Sequence, residues 1–255
     1  MSHGRFPAPR FVAVQRGVSA LIPLLALLAS QALGAASVVE VPPMAATPAV
    51  IAAVPVLALR PTQLDLGMVA VAYRIAKLED KSPRKLQCYL DAHSVPVVIG
   101  PQGFYLIDRH HLVRAAYEMG IKRLPIIVKH DYSDLGLKAF WERMEKKKLV
   151  DLLDQFGERQ PPSALAGDVT GLTDSPARSV ATVAREEGAF LKTKSPFAEN
   201  NWARFFQENL TVQDINHNFN QAVQEAKVLS KSPLAASLPG YRKPRQRIGQ
   251  VEINP

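Results

Sequence analysis

Phe104-Tyr105-Leu106-Ile107-Asp108-Arg109-His110-His111-Leu112-Val113-Arg114-Ala115-Ala116 changes its hydrophobic period in the middle. Tyr105 and Ile107 alternate as in a strand, whereas Leu112, Ala115, Ala116 and Met119 recur at helical spacing. The stretch therefore predicts a strand that runs, with almost no loop, into an amphipathic helix. Polar chemistry sits at the joint. Asp108 has the side chain of an N-cap, able to accept from the free N–H groups two and three residues on, which places His110 and His111 in the first helical turn. Free N–H groups and the positive end of the helix dipole attract a phosphate or carboxylate, and Arg114, about one turn further on, adds a bidentate clamp.

Working outward, Val54 to Leu59 reads as a first strand closed by Arg60-Pro61. Asp65 to Leu78 carries Leu66, Val69, Ala70 and Tyr73 near helical spacing, so a helix begins after Thr62-Gln63 or near Gly67. Ser82-Pro83 opens a second helix, to about His93. Val95 to Ile99 and Phe104 to Ile107 flank the turn Gly100-Pro101-Gln102-Gly103 and form a hairpin. Gly120 closes the central helix, and Leu124 to Val128 is another strand. The order strand, helix, helix, strand, strand, helix, strand gives an α/β (α+β) class: a small mixed sheet with helices.

A C-terminal helical layer follows. Ser133 caps a helix from Asp134 to about Phe156, with Lys146-Lys147-Lys148 on its solvated side. A loop rich in Pro, Gly, Ser and Asp covers Gly157 to Pro176, and three more helices lie near Ala177 to Glu187, Phe197 to Asn209 and Val212 to Leu229. The tail from Pro239 shows no packing pattern. Phe197, Trp202, Phe205 and Phe206 have the spacing of helical core rather than of a base-stacking platform.

The N-terminal part is of another kind. Arg5, Arg10 and Arg16 precede an uncharged run from Gly17 to Val39 with an apolar centre at Ala20 to Ala29 and small residues Gly34-Ala35-Ala36, the order of a secretory signal peptide. A retained membrane anchor is the other reading of this run, although Pro23, Ser30, Gln31 and Gly34 weaken a membrane helix. Cleavage near Ala36 removes three arginines and no acids, taking the formal charge from +8 to +5, a modest excess that speaks weakly for nucleic acid. The sole cysteine, Cys88, excludes an intramolecular disulfide and reads as a small core residue. The organisation expected is a signal peptide over 1–36, an Ala/Val/Pro linker over 37–55, an α/β domain over 56–131, a helical region packed on it over 132–241 and a basic tail over 242–255. The mature protein then has no stable membrane span and lies in a bacterial periplasm or outside the cell.

With these residues in view the chain resembles the ParB/sulfiredoxin superfamily, in its branch of ParB-like putative nucleases. The resemblance rests on Leu59-Arg60-Pro61-Thr62-Gln63 with Gly67, on Val95-Pro96-Val97-Val98 leading to Gly100-Pro101-Gln102-Gly103, and above all on Tyr105 to Leu112. Pro196-Phe197-Ala198-Glu199, Trp202-Ala203, Phe205-Phe206 and Leu238-Pro239-Gly240-Tyr241 resemble the branch's C-terminal pattern. It implies a phosphate-binding strand-to-helix junction, usually for a nucleotide. Superfamily members include DNA-segregation factors, a nuclease, small-molecule kinases and sulfinic acid reductases, and fold does not choose among these chemistries. The turn here holds Asp108-Arg109-His110-His111 in place of the reductases' cysteine, and an export signal disfavours DNA segregation.

Candidate catalytic residues are His110, His111 and Asp65, and candidate phosphate ligands are Asp108, Arg109, His110, His111, Arg114, Arg60 and Gln63. A histidine near its ordinary pKa of ~6.5 serves as acid, base or phosphate donor. For each a structural reading stands beside the functional one: a cap for Asp108, one packed and one solvated ring for the histidines, a surface arginine for Arg114. A divalent metal on Asp108 and His110 is conceivable but has no third ligand. Two functions remain open: a nucleotide or phosphoester-binding protein with cleavage or transfer activity, and a non-catalytic scaffold whose helical region holds a protein partner.

Overall fold

The computed structural model of the protein describes residues 50–243, with side chains from Ala53. The expected signal segment, most of the linker and the end of the tail lie outside these residues. Its sheet strands are β1 (Val50–Pro55), β2 (Leu59–Pro61) and, after a strand pair member β3 (Asp65–Leu66) and helices α1 (Met68–Glu79) and α2 (Pro83–Ala92), β4 (Val95–Gly100) and β5 (Gly103–Leu106). Helix α3 (His110–Glu118) and strand β6 (Arg123–Asp131) complete the α/β half. The five-stranded sheet has the order β1-β6-β4-β5-β2. The predicted hairpin is present, β4 and β5 pairing antiparallel from Val97↔Leu106 to Gly100↔Gly103, while β2 joins β5 in parallel and β6 joins β4 in parallel.

Alternation along the strands sorts the core into two faces. Val95, Val97 and Leu106 bury against the helical side with Leu78, Leu90, Leu112 and Val113. Val98 and Tyr105, one residue out of phase, face Phe140 and Met144 of helix α4 (Leu137–Lys146) on the other side. Gly120, at φ +74, ends α3: Ile121 N–H bonds the Ala116 carbonyl and Gly120 N–H that of Tyr117, which is the Schellman closure expected of a glycine there.

Several boundaries differ from the periodicity reading. The first strand is not Val54 to Leu59: the end of the supposed linker is β1, paired antiparallel with β6, and a 3-10 turn at Val56–Ala58 separates it from β2. An Ala/Val run gives no alternation to betray such a strand. The first helix starts at Met68 because Asp65–Leu66 pairs in parallel with β7 (Thr173–Asp174), more than a hundred residues away. Helix α4 neither starts from Ser133 nor reaches Phe156. Ser133 donates both its N–H and its hydroxyl to Asp131, and the helix stops where Lys148 turns to φ +53 and Leu149 N–H closes on Met144. The apolar residues beyond it, Val150 and Leu152, pack into the same cluster from an irregular segment, so their spacing only mimicked a helix.

The supposed loop from Gly157 to Pro176 carries Val169 and Leu172 into the sheet core. A third, separate cluster joins α5 (Pro176–Glu186), α6 (Ala198–Asn209) and α7 (Phe219–Leu229) around Trp202 and Phe206, with Phe205 packed against it. The last helix begins at Phe219, not Val212. The segment after Leu238 is not free of packing: Pro239 accepts from the Trp202 indole at 2.7 Å and Gly240 accepts from Leu191 N–H at 2.9 Å. Cys88 is exposed on α2 rather than in the core. No described helix is long and apolar enough to cross a membrane.

Candidate functional site

The junction after β5 differs from the expected cap. Asp108 does not cap the helix; its Oδ1 accepts the next residue's N–H, that of Arg109, at 2.6 Å. Arg109 is the N-cap, in the left-handed region at φ 67, and its Nη1 donates to the Ser94 carbonyl at 2.9 Å. A non-glycine residue held there costs on the order of 1 kcal/mol, a strain that concentrates at ligand sites. A cleft of about 610 Å³ opens before it, walled by the start of α3, by α5 and by the segment Phe190 to Asn200 that leads into α6. On the opposite wall Phe197 repeats the feature, capping α6 at φ 55.

His110 and His111 both sit at the base of this cleft, and the structure gives each a backbone partner. His110 Nε2 accepts from Thr62 N–H at 3.2 Å, and Thr62 Oγ1 in turn donates to the Leu106 carbonyl at 2.7 Å. His111 Nε2 accepts from Gly67 N–H at 3.2 Å. Burial, reinforced by the charge of Arg178, holds the His110 pKa down at about 3 against a weaker pull from the Leu106 carbonyl. The same causes, joined by Arg74, hold His111 well below its ordinary value. Both rings are neutral near pH 7 with Nε2 occupied as an acceptor, so Nδ1 carries the proton.

The most deeply buried cation of the cleft is one the linear pattern did not single out. Arg178, on α5, is 5% exposed. Its Nη1 lies 3.7 Å from Asp65 Oδ1, yet Nε and Nη1 have no hydrogen-bond partner. Burial lowers the Arg178 pKa and raises that of Asp65, the mutual attraction opposing each shift. Behind this pair, Asp151 accepts from Asn200 at 2.6 Å and from Arg204 at 2.7 Å. Arg178, Thr182 and Arg185 form a polar stripe at i, i+4 and i+7 on α5, beside the buried Ala177, Val180, Ala181 and Ala184. A basic residue adjoining an apolar helix face was the signal available in the sequence.

Of the other predicted ligands, Gln63 and Arg109 line the cleft and Asp108 stands at its edge. Arg114 does not: it pairs with Glu118 at 2.6 Å and donates to the Val169 carbonyl. Arg60 is also elsewhere, donating to the Gln102 carbonyl at 3.0 Å. The described residues contain no group of three His, Cys, Asp or Glu able to hold a metal. With Asp108 turned to its neighbour's N–H and His110 Nε2 occupied, the Asp108–His110 donor set does not fit one. Over its whole lining the cleft has seven arginines and lysines against two acids.

A mixed sheet whose strand β5 feeds directly into helix α3, with a basic cleft at that junction, defines a ParB/sulfiredoxin-like domain. The family model described as "Putative ParB-like nuclease" matches residues 52–208, and the chain belongs to that family. Protein Atu1540 from Agrobacterium tumefaciens, solved as a crystal structure, is 31% identical with a TM-score of 0.70, over 77% of this chain and 100% of that one. A comparison with curated proteins gives no match.

Proposed function

We propose that the chain binds a phosphate-bearing ligand in the cleft at the start of α3. The observation that carries this reading is Arg178: a guanidinium with two unpartnered N–H-bearing atoms is held out of water on the cleft wall, although leaving charged donors unmet costs several kcal/mol. An anion offsets that cost. The N–H groups of the first turn of α3 and the neutral rings of His110 and His111 stand beside it, and Arg109 and Arg185 complete a cationic surround.

Both histidines serve this site as scaffolding, and His111 also as an Nδ1–H donor; the His110 N–H is engaged by the Leu106 carbonyl. Neither offers a free ring nitrogen to take a proton while its Nε2 holds a backbone amide, so the reading is one of phosphoester binding, with nucleotides and nucleic-acid strands as ligand classes. The basic, apolar and small-residue order of the first 36 residues supports a periplasmic or secreted location, where free nucleoside triphosphate is scarce.

Calorimetry of the full chain with inorganic pyrophosphate and thymidine 5′-monophosphate tests it. Arg178→Gln combined with Asp65→Asn, which leaves no lone buried carboxylate, is expected to lower affinity by about tenfold or more. Undetectable binding of both compounds to the wild-type chain overturns the reading.

A further inference from the structure

Beside the cleft lies a smaller cavity of about 250 Å³ between α1, α2 and α5. The two share Arg74, Tyr89, His111 and Thr182, so one wall serves both. Arg74 stands at the junction. Its Nε is buried without a partner, and its Nη1 reaches the Tyr89 hydroxyl only at 3.5 Å, the outer limit of a hydrogen bond. Beyond it the cavity holds Lys77, one turn on along α1, and Lys81, in the turn that follows the helix.

The charges of this side cavity do not balance. Its one acid, Glu186, is taken by Lys77 at 3.0 Å. Arg74 and Lys81 have no carboxylate partner among the described residues; Lys81 instead hangs over the Tyr89 ring, 5.4 Å from its centroid. That ring also stacks on His93 with centroids 3.9 Å apart, which fixes its position. Two unpaired cations converging on a concave, part-apolar pocket describe an anion subsite.

We propose that this side cavity is a second phosphate subsite, continuous with the cleft, so that the ligand is elongated and carries two phosphate groups. The proposal rests on the phosphate reading above and extends it: one phosphate lies at α3 against Arg178, the other against Arg74 and Lys81, and the part joining them passes Tyr89 and His111. Engaging both at once raises affinity through the effective concentration of the second group. Two sources fit this chemistry, a phosphodiester-linked strand and a polyphosphate chain.

Calorimetry of the full chain with thymidine 5′-monophosphate, the 5′-phosphorylated thymidine dinucleotide and pyrophosphate separates the cases. The dinucleotide is expected to bind at least about tenfold more tightly than the monophosphate. The Lys81→Gln variant, which leaves the Lys77–Glu186 pair intact, is expected to remove most of that advantage while leaving monophosphate affinity unchanged. Pyrophosphate showing the advantage and its loss in place of the dinucleotide supports the subsite with a polyphosphate as its source. Monophosphate binding with no gain from either two-phosphate compound overturns the second subsite and leaves the cleft reading standing. No binding of any of the three overturns both.

Discussion

His111 Nε2 accepts the backbone N–H of Gly67 at 3.2 Å, so a ring in the first turn of α3 also fixes the residue that caps α1. His110 makes the matching bond to Thr62. Replacing either histidine by alanine leaves a sequestered amide without an acceptor, and each change is expected to cost about 1–3 kcal/mol of stability. Urea denaturation of His110→Ala and His111→Ala measures this. An unchanged midpoint for both would show that the two bonds are not structural.

Acid should weaken the fold through the same rings. In the unfolded chain a histidine titrates near ~6.5, while in the folded chain His110 does so at about 3 and His111 well below its ordinary range. Above the unfolded value both states are neutral and the rings contribute no pH dependence. As pH falls below it, the unfolded chain takes up protons that the folded chain refuses, so stability is lost between roughly 6.5 and 3, on the order of 1 kcal/mol per pH unit for each ring. Denaturation at about pH 7.5 and about pH 5 checks the sign. Equal stability at the two values contradicts it.

The Asp65–Arg178 pair should behave as a coupled unit. Arg178→Met alone strands a buried carboxylate and is expected to destabilise by about 2–4 kcal/mol, whereas adding Asp65→Asn should return a large part of that. A double-mutant cycle by urea denaturation supplies the coupling energy. Additive effects would mean that the two side chains do not interact.

Gly67 has no room for a side chain. A Cβ there would lie 2.3 Å from Ser179 Oγ and 2.4 Å from its backbone nitrogen, so Gly67→Ala must push α1 and α5 apart. The expected cost is about 1–3 kcal/mol. Because Ser179 follows Arg178, the same variant should weaken phosphate binding, which calorimetry reads separately from melting. Retained stability together with retained affinity would refute the close packing.

Ending the chain after Leu238 removes the carbonyls that meet the Trp202 indole and Leu191 N–H. Truncation there should lower the melting temperature by several degrees, as a loss of roughly 1–2 kcal/mol would in a domain of this size. Circular dichroism against temperature is sufficient to see it.

Much of the α/β half was legible because its periods are clean: Tyr105 and Ile107 against Leu112 and Ala115 mark the strand-to-helix joint, and Gly120 marks the end of α3. What was hidden depends on partners distant in sequence. Asp65–Leu66 is a strand only because Thr173–Asp174 lies beside it, and Val50–Pro55 only because β6 offers an edge. The site divides in the same way. His110, His111 and Arg109 come from the joint itself, Gln63 lines the cleft from the segment after the first strand, and Asp65 is present as the partner of Arg178. Arg114 and Arg60 were misplaced because a residue one turn away, or in the adjoining strand, can still point elsewhere. Arg178 and Arg74 escaped notice because single arginines in amphipathic helices resemble surface residues until the fold buries them.

The start of α1 draws its caps from far along the chain. Met68 N–H meets Asp174 Oδ1 across 106 residues, and Ala70 N–H meets Ser179 Oγ across 109. Synthesis runs from the N-terminus, so these amides wait unmatched until α5 has emerged. The first helix of the domain is therefore among the last to be secured, and a chain interrupted before α5 leaves the ribosome without a finished amino-terminal half.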